Sequence, residues 1–173
     1  GNSIAAETVI DQQYNSLGID FNPFNSGNPK TATASLFMPA AVSEPNLLRT
    51  VPGDTGYSGG GFEVVFDNPA VGIGMFFGDI QSYGLTGVTT LELFDASGTS
   101  IHVEDVTTVL GDSTAQWKFL GLTSTQPFAR AQVSIGGEDF VTFDNLRFAV
   151  PEPSSLCLLV LGSIVMMRRR RSS

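Results

Sequence analysis

Few residues of this 173-residue chain could carry chemistry, and their scarcity narrows the possibilities. The single histidine, His102, has Ser100 and Glu104 two positions to either side, on one face of a predicted strand. A catalytic imidazole needs a nucleophile to activate and an acid to orient it. A histidine on a solvent-facing strand beside polar neighbours is the plainer reading of the same three residues. The one cysteine, Cys157, lies in an apolar run near the C-terminus, where it reads as a small apolar filler rather than a lipid attachment point. With no second histidine and no cysteine elsewhere, zinc and thiol chemistry lack ligands and nucleophiles. Carboxylates are plentiful, but spacing alone sets no pair at the separation a glycosidase requires. The residues point to a protein that is not an enzyme.

Two kinds of binding chemistry remain. Calcium takes six to eight oxygens from carboxylates, amides and backbone carbonyls. Asp144-Asn145 interrupts the apolar run VTFDNLRF, and a charge there must face solvent or be paired. Asp11 and Asp20 bracket the first predicted strand and would meet Asp144 where first and last strands are neighbours. A structural calcium held by Asp11, Asp20, Asp144 and Asn145 is one expectation; a bend capped by Asp144, or its pairing with Arg147, is the other. EF-hand spacing is absent. Sugar rings stack on exposed aromatic faces, and Tyr57 and Tyr83, both in predicted loops, are the candidates. Trp117 alternates with Phe119 and is expected in the core.

The elements that must position these groups are nearly all strands. Period-2 apolar runs bounded by Gly, Pro, Asn and Asp predict strands over 17–21, 31–38, 62–66, 71–77, 88–94, 100–106, 115–122, 128–135 and 140–148. Residues 42–61 read as a long loop. Asp95-Ala-Ser-Gly98 reads as a hairpin turn with glycine where positive φ is wanted. Eight or nine short strands, 19 glycines and no helical period before residue 150 predict an all-β fold, a β-sandwich. Its core would come from Phe62, Val64, Phe66, Ile73, Leu91, Leu93, Trp117, Phe119 and Phe143.

Charge divides the chain in two. Of its 17 acids and nine Lys and Arg residues, one acid and four arginines lie after residue 150, so residues 1–150 hold 16 acids against five bases. That acidic surface repels nucleic acid and attracts divalent cations. About 150 residues suffice for one domain burying roughly 70% of its unfolded surface. Gly1 to Glu7 shows neither a basic start nor a long apolar run, so export would require a front end that is processed or truncated.

The last 24 residues read as an address. Pro151 and Pro153 force Val150 and Glu152 into extended geometry, holding the Glu152 carboxylate on a stiff segment. Ser154 to Met167 follows without a charge and is expected to form a membrane helix about 21 Å long, short of the ~30 Å bilayer core. Arg168, Arg169, Arg170 and Arg171 end it and would stay on the cytoplasmic side, leaving the domain of residues 1–149 outside.

Val150-Pro151-Glu152-Pro153, a short hydrophobic helix over 154–167 and an arginine-rich end over 168–173 together resemble the PEP-CTERM sorting signal, also labelled an ice-binding-protein C-terminal domain. The resemblance implies recognition and cleavage by an exosortase, a membrane cysteine peptidase. It also implies anchoring in the inner membrane before processing, then a place at the cell surface or in the extracellular polysaccharide layer. A second resemblance spans most of the domain: Tyr14 to Phe21, Asn68 to Asp79, Leu91 to Gly98 and the FDNLRF ending look like the jelly-roll domains found before such tails. Galactose-binding-like carbohydrate modules are related sandwiches, which implies a sugar-binding alternative and, in many of them, a structural calcium near the first and last strands.

Overall fold

The computed structural model describes residues 13–24, 27–33, 46–52, 60–81, 86–113, 116–136 and 141–151, with backbone alone at 23–24, 27–33 and 46–52. A 3-10 turn over Asn15–Leu17 leads into β1 (Ile19–Phe24), β2 (Gly27–Thr33), β3 (Asn46–Pro52), β4 (Gly60–Gly78), β5 (Thr89–Phe94) and β6 (Ser100–Asp105). A short helix α1 (Val106–Leu110), β7 (Trp117–Ile135) and β8 (Thr142–Ala149) complete the order. Every pairing is antiparallel, in one ladder ordered β1-β2-β3-β8-β4-β7-β5-β6 that also closes β1 onto β4.

β4 and β7, each 19 residues long, belong to both layers of a β-sandwich. Their outer halves, Gly60–Val65 against Arg130–Ile135, lie between β1 on one side and β5 and β6 on the other. Their inner halves, Gly72–Gly78 against Trp117–Thr123, lie beside β8, which carries β3 and β2. Between these stretches only Ala70 and Phe128 are paired. Pro69 and Pro127 occupy the two gaps, where the missing N–H of proline removes no ladder bond. Strands that change sheets through such irregularities make the corners of sandwiches.

The core lies between the layers. Ile19, Phe21, Phe62, Val64, Phe66, Leu91, Leu93, Ala131 and Val133 point inward from the first layer, and Ile73, Met75, Phe77, Leu120 and Phe143 from the second. Rings meet across the gap, Phe62 edge-on to Phe143 at 5.0 Å. Phe21 lies 5.8 Å from Phe62, and Phe77 5.4 Å from Phe143. Such pairs contribute about 0.5–1.5 kcal/mol beyond area burial.

The all-β sandwich and seven of the nine expected core residues are as the pattern predicts. Several boundaries differ. The runs 62–66 and 71–77 are one strand, because Asp67-Asn68-Pro69 turns a corner instead of ending an element. Runs 115–122 and 128–135 likewise merge, within the described residues, into β7. β3 lies inside the stretch read as a loop over 42–61. Leu17 is exposed in the 3-10 turn, and the first strand begins two residues later. Trp117 and Phe119 are not in the core: Leu120 takes the inward place, and Phe119 is 46% exposed. In WKFLGL both faces of the strand are apolar, so alternation could not say which one is buried.

The hairpin turn forms as expected. Gly98 has φ 82°, and the Asp95 side chain accepts from the Ser97 and Thr99 backbone N–H groups and from the Ser97 hydroxyl. Asp105 caps α1 by accepting from Thr108 N–H at 2.9 Å and from its hydroxyl at 2.7 Å. Lys118 Nζ donates to the Leu110 and Asp112 carbonyls at the helix's other end.

Candidate functional site: an aromatic face and the strand that leads to the tail

The outer surface of the second layer is built from one strand pattern. In β4 the core takes Ile73, Met75 and Phe77, so Gly72, Gly74, Phe76 and Gly78 face outward. β7 sets Trp117 opposite Gly78, Phe119 opposite Phe76 and Gly121 opposite Gly74. The glycines let the rings lie down. A Cβ on Gly74 would come within 2.6 Å of Phe119 Cζ, and one on Gly78 within 3.0 Å of Trp117 Cε3 and Cζ3. Phe119 and Phe76 stand 5.1 Å apart at 61°, with Trp117 and Phe76 half-buried beside the exposed Phe119.

β8 supplies polar groups to the same face. Thr142 pairs with Gly78 and Asp144 with Phe76, and both are buried. The Thr142 hydroxyl has no hydrogen-bond partner among the described residues. The ladder then slips between Phe76 and Gly74, with Asn145 at φ 53°, so that Asn145 and Leu146 together face Met75. Asparagine is among the few non-glycine residues that enter this region readily. The extra residue turns Arg147 to the same side as Asp144, whereas positions three apart on a regular strand face opposite ways. Arg147 Nε donates to Asn145 Oδ1 at 3.5 Å.

This surface sets flat apolar rings beside an exposed guanidinium, with Thr142 and Asp144 buried next to them. It holds no histidine or cysteine, and the arrangement suits stacking against a flat ligand with polar edges. The outer surface of the first layer is charged by contrast. Arg130 forms an ion pair with Glu63 and lies 4.0 Å above the Phe94 ring.

Of the expected calcium ligands, Asp20 and Asp144 are not brought together. Asp20 alternates with the buried Ile19 and Phe21, and Asp144 neighbours the buried Phe143, so the two point out from opposite layers. Among the described residues Asp20 Oδ1 is buried without a hydrogen-bond partner, Asn145 serves the bulge, and Asp11 lies outside them. Among the described residues no three His, Cys, Asp or Glu side chains cluster as metal ligands. His102 contacts Glu104 at 3.2 Å on edge strand β6, with its side chain 44% exposed.

Tyr57, Tyr83, Glu152, Pro153, the apolar run 154–167 and Arg168 to Arg171 lie outside the described residues. Val150 and Pro151 are exposed directly after β8. No helix among the described residues is long and apolar enough to cross a membrane. The sequence reading missed Phe76 and Phe119 as surface groups. Its available signal was GIGMFFG, in which the alternate positions 72, 74 and 78 are all glycine.

Residues 149–171 match the PEP-CTERM protein-sorting motif, the family expected from the tail. No curated protein matches the chain. Among solved structures, an arabinose-bound GH51 α-L-arabinofuranosidase is similar at TM-score 0.55 and 13% identity over 85% of this chain, which spans only 25% of that enzyme. The K2 cleaved adhesin domain of Lys-gingipain is similar at TM-score 0.51 and 6% identity, over 78% of this chain and 91% of the other. TmCBM61 in complex with β-1,4-galactotriose aligns at TM-score 0.48 and 12% identity, over 83% of this chain and 100% of the other. The first two likenesses show the sandwich fold.

Proposed function

We propose that this chain is an exported, non-enzymatic protein displayed at the cell surface or in the extracellular matrix after an exosortase reads and cuts its tail. The observation that carries the reading is the match of residues 149–171 to a protein-sorting motif that begins where the last strand ends. The test is intact mass and membrane fractionation of the chain expressed with its exosortase, beside Glu152→Ala. Wild type is expected to lose the segment after the motif and leave the membrane fraction, while the variant keeps its full mass there. Full mass in the membrane for both would reduce the tail to an anchor.

A second reading concerns the sandwich: it binds an extracellular polysaccharide through the face bearing Phe76, Trp117 and Phe119. The seating of two of these rings on glycines supports it, because close backbone approach at Gly74 and Gly78 is what flattens them. Tyr57 and Tyr83 are further candidate contacts. A glycan array probed with the released protein tests this reading, with saturable binding to a defined glycan expected. Uniform absence of binding across neutral and acidic glycans would sink it.

A further inference from the structure

The sorting motif follows the folded sandwich without a spacer. Ala149 is the last residue of β8 paired in the ladder, opposite Gly72, and Glu152 lies three residues on. Three fully extended residues reach about 11 Å at most. Anything that closes around the Glu152 carboxylate and its flanking prolines must come that close to a folded β-sheet.

The nearby surface is the corner where both long strands change layers. Gly72 pairs with Ala149 on one side and Thr123 on the other, which puts Thr123 about 10 Å, two strand spacings, from Ala149. Asn68, Pro69, Thr125, Gln126 and Pro127 are exposed there. The corner is stiff: it carries two prolines, the Asp67 N–H donates to the Gly18 carbonyl at 3.0 Å, and Gln126 N–H donates to the Ser124 hydroxyl at 3.1 Å. Stiff surfaces lose little freedom on contact, which favours recognition.

We propose that this corner is a docking surface for the membrane peptidase that reads the motif, so that the enzyme takes the tail with the folded corner seated against it. The inference rests on the exosortase reading above. It differs from a picture in which the tail alone is read and the cargo is irrelevant.

The full chain expressed with its exosortase serves for the test, with conversion followed in time by intact mass. The variants are Asn68→Trp with Gln126→Trp, the same pair carrying a Gly/Ser linker of about ten residues between Ala149 and Val150, Gln116→Trp, and Glu152→Ala. Such a linker spans roughly 17 Å, beyond the corner. Gln116 is exposed beside Trp117 at the far end of the layer, about 20 Å along the strand from Thr123. The corner pair is expected to slow conversion about fivefold or more, the effect of disturbing one important interface contact. Gln116→Trp is expected to convert at the wild-type rate, and the linker to leave the corner pair slowed, since slack in the tail does not return a lost contact. Conversion of the corner pair at the wild-type rate, or its restoration by the linker to within about twofold of wild type, which would make the slowing a steric clash with the tail alone being read, overturns the proposal. Glu152→Ala keeps the two readings apart, since its conversion at the wild-type rate would overturn the exosortase reading itself. Thermal melting of the corner pair at its wild-type midpoint certifies that a slowed variant is folded.

Discussion

At the scale of the residue, the proposed glycan binding turns on side chains that contribute little to the core. Phe119 is exposed and Trp117 half-buried, so Phe119→Ala with Trp117→Ala should abolish glycan retention in affinity electrophoresis while melting changes little. Stacking on one aromatic ring contributes about 1 kcal/mol, or roughly a factor of five in affinity. Gly74 is tested by Gly74→Val. The added atoms would meet Phe119 Cζ and lie 3.1 Å from the Leu120 carbonyl, so overpacking should cost about 1–3 kcal/mol in chemical denaturation and lift the ring from its seat. Among the described residues, Asp95 and Asp105 are carboxyls held below their usual range. Hydrogen bonds from the Ser97 side chain and the Thr99 backbone hold Asp95 below its usual range, and the Thr108 hydroxyl and N–H do the same for Asp105. A carboxyl depressed in the folded state stabilises above its unfolded pKa, near 3.8 here, and loses that contribution as pH falls through the lower folded value. Asp95→Asn with Asp105→Asn should therefore flatten the fall of the melting midpoint below about pH 4. The change should be small and screened by salt, since both groups are exposed.

At the scale of the element, the corner and the bulge explain what pattern reading could and could not recover. The runs FEVVF and VGIGMFF were legible as strands because alternation survives on each side of Asp67-Asn68-Pro69. Their union was not legible, because proline and asparagine mark a chain end and a chain corner alike. β3 escaped because NLLRTVP, closed by a proline, lies between stretches rich in turn residues. The bulge at Asn145 is invisible to a period-2 reading, which would put Asp144 and Arg147 on opposite faces. A tolerance for positive φ is what Asn145→Val removes, and it should cost about 1–2 kcal/mol in denaturant and weaken glycan binding by displacing Arg147.

At the scale of the molecule, the described core lies wholly ahead of the motif. Phe143, the last large ring fully inside it, touches Phe62 and Phe77. A chain cut after Pro151 should therefore keep the melting midpoint of the full chain by differential scanning calorimetry. Phe143→Ala should cost about 3–5 kcal/mol, because it empties a site shared by both layers. The tail's address was readable from residue order alone: a carboxylate between two prolines, an uncharged run and four arginines are adjacent in sequence and need no partner from elsewhere in the chain. Fold class was readable too, because inward and outward positions alternate with a period of two wherever one face is buried. Which apolar face of WKFLGL is buried, and whether Asp20 and Asp144 meet, was decided by tertiary structure alone. Both answers depend on contacts between residues far apart in sequence. The ladder sets Phe119 beside Phe76, and the two layers turn Asp20 and Asp144 away from each other.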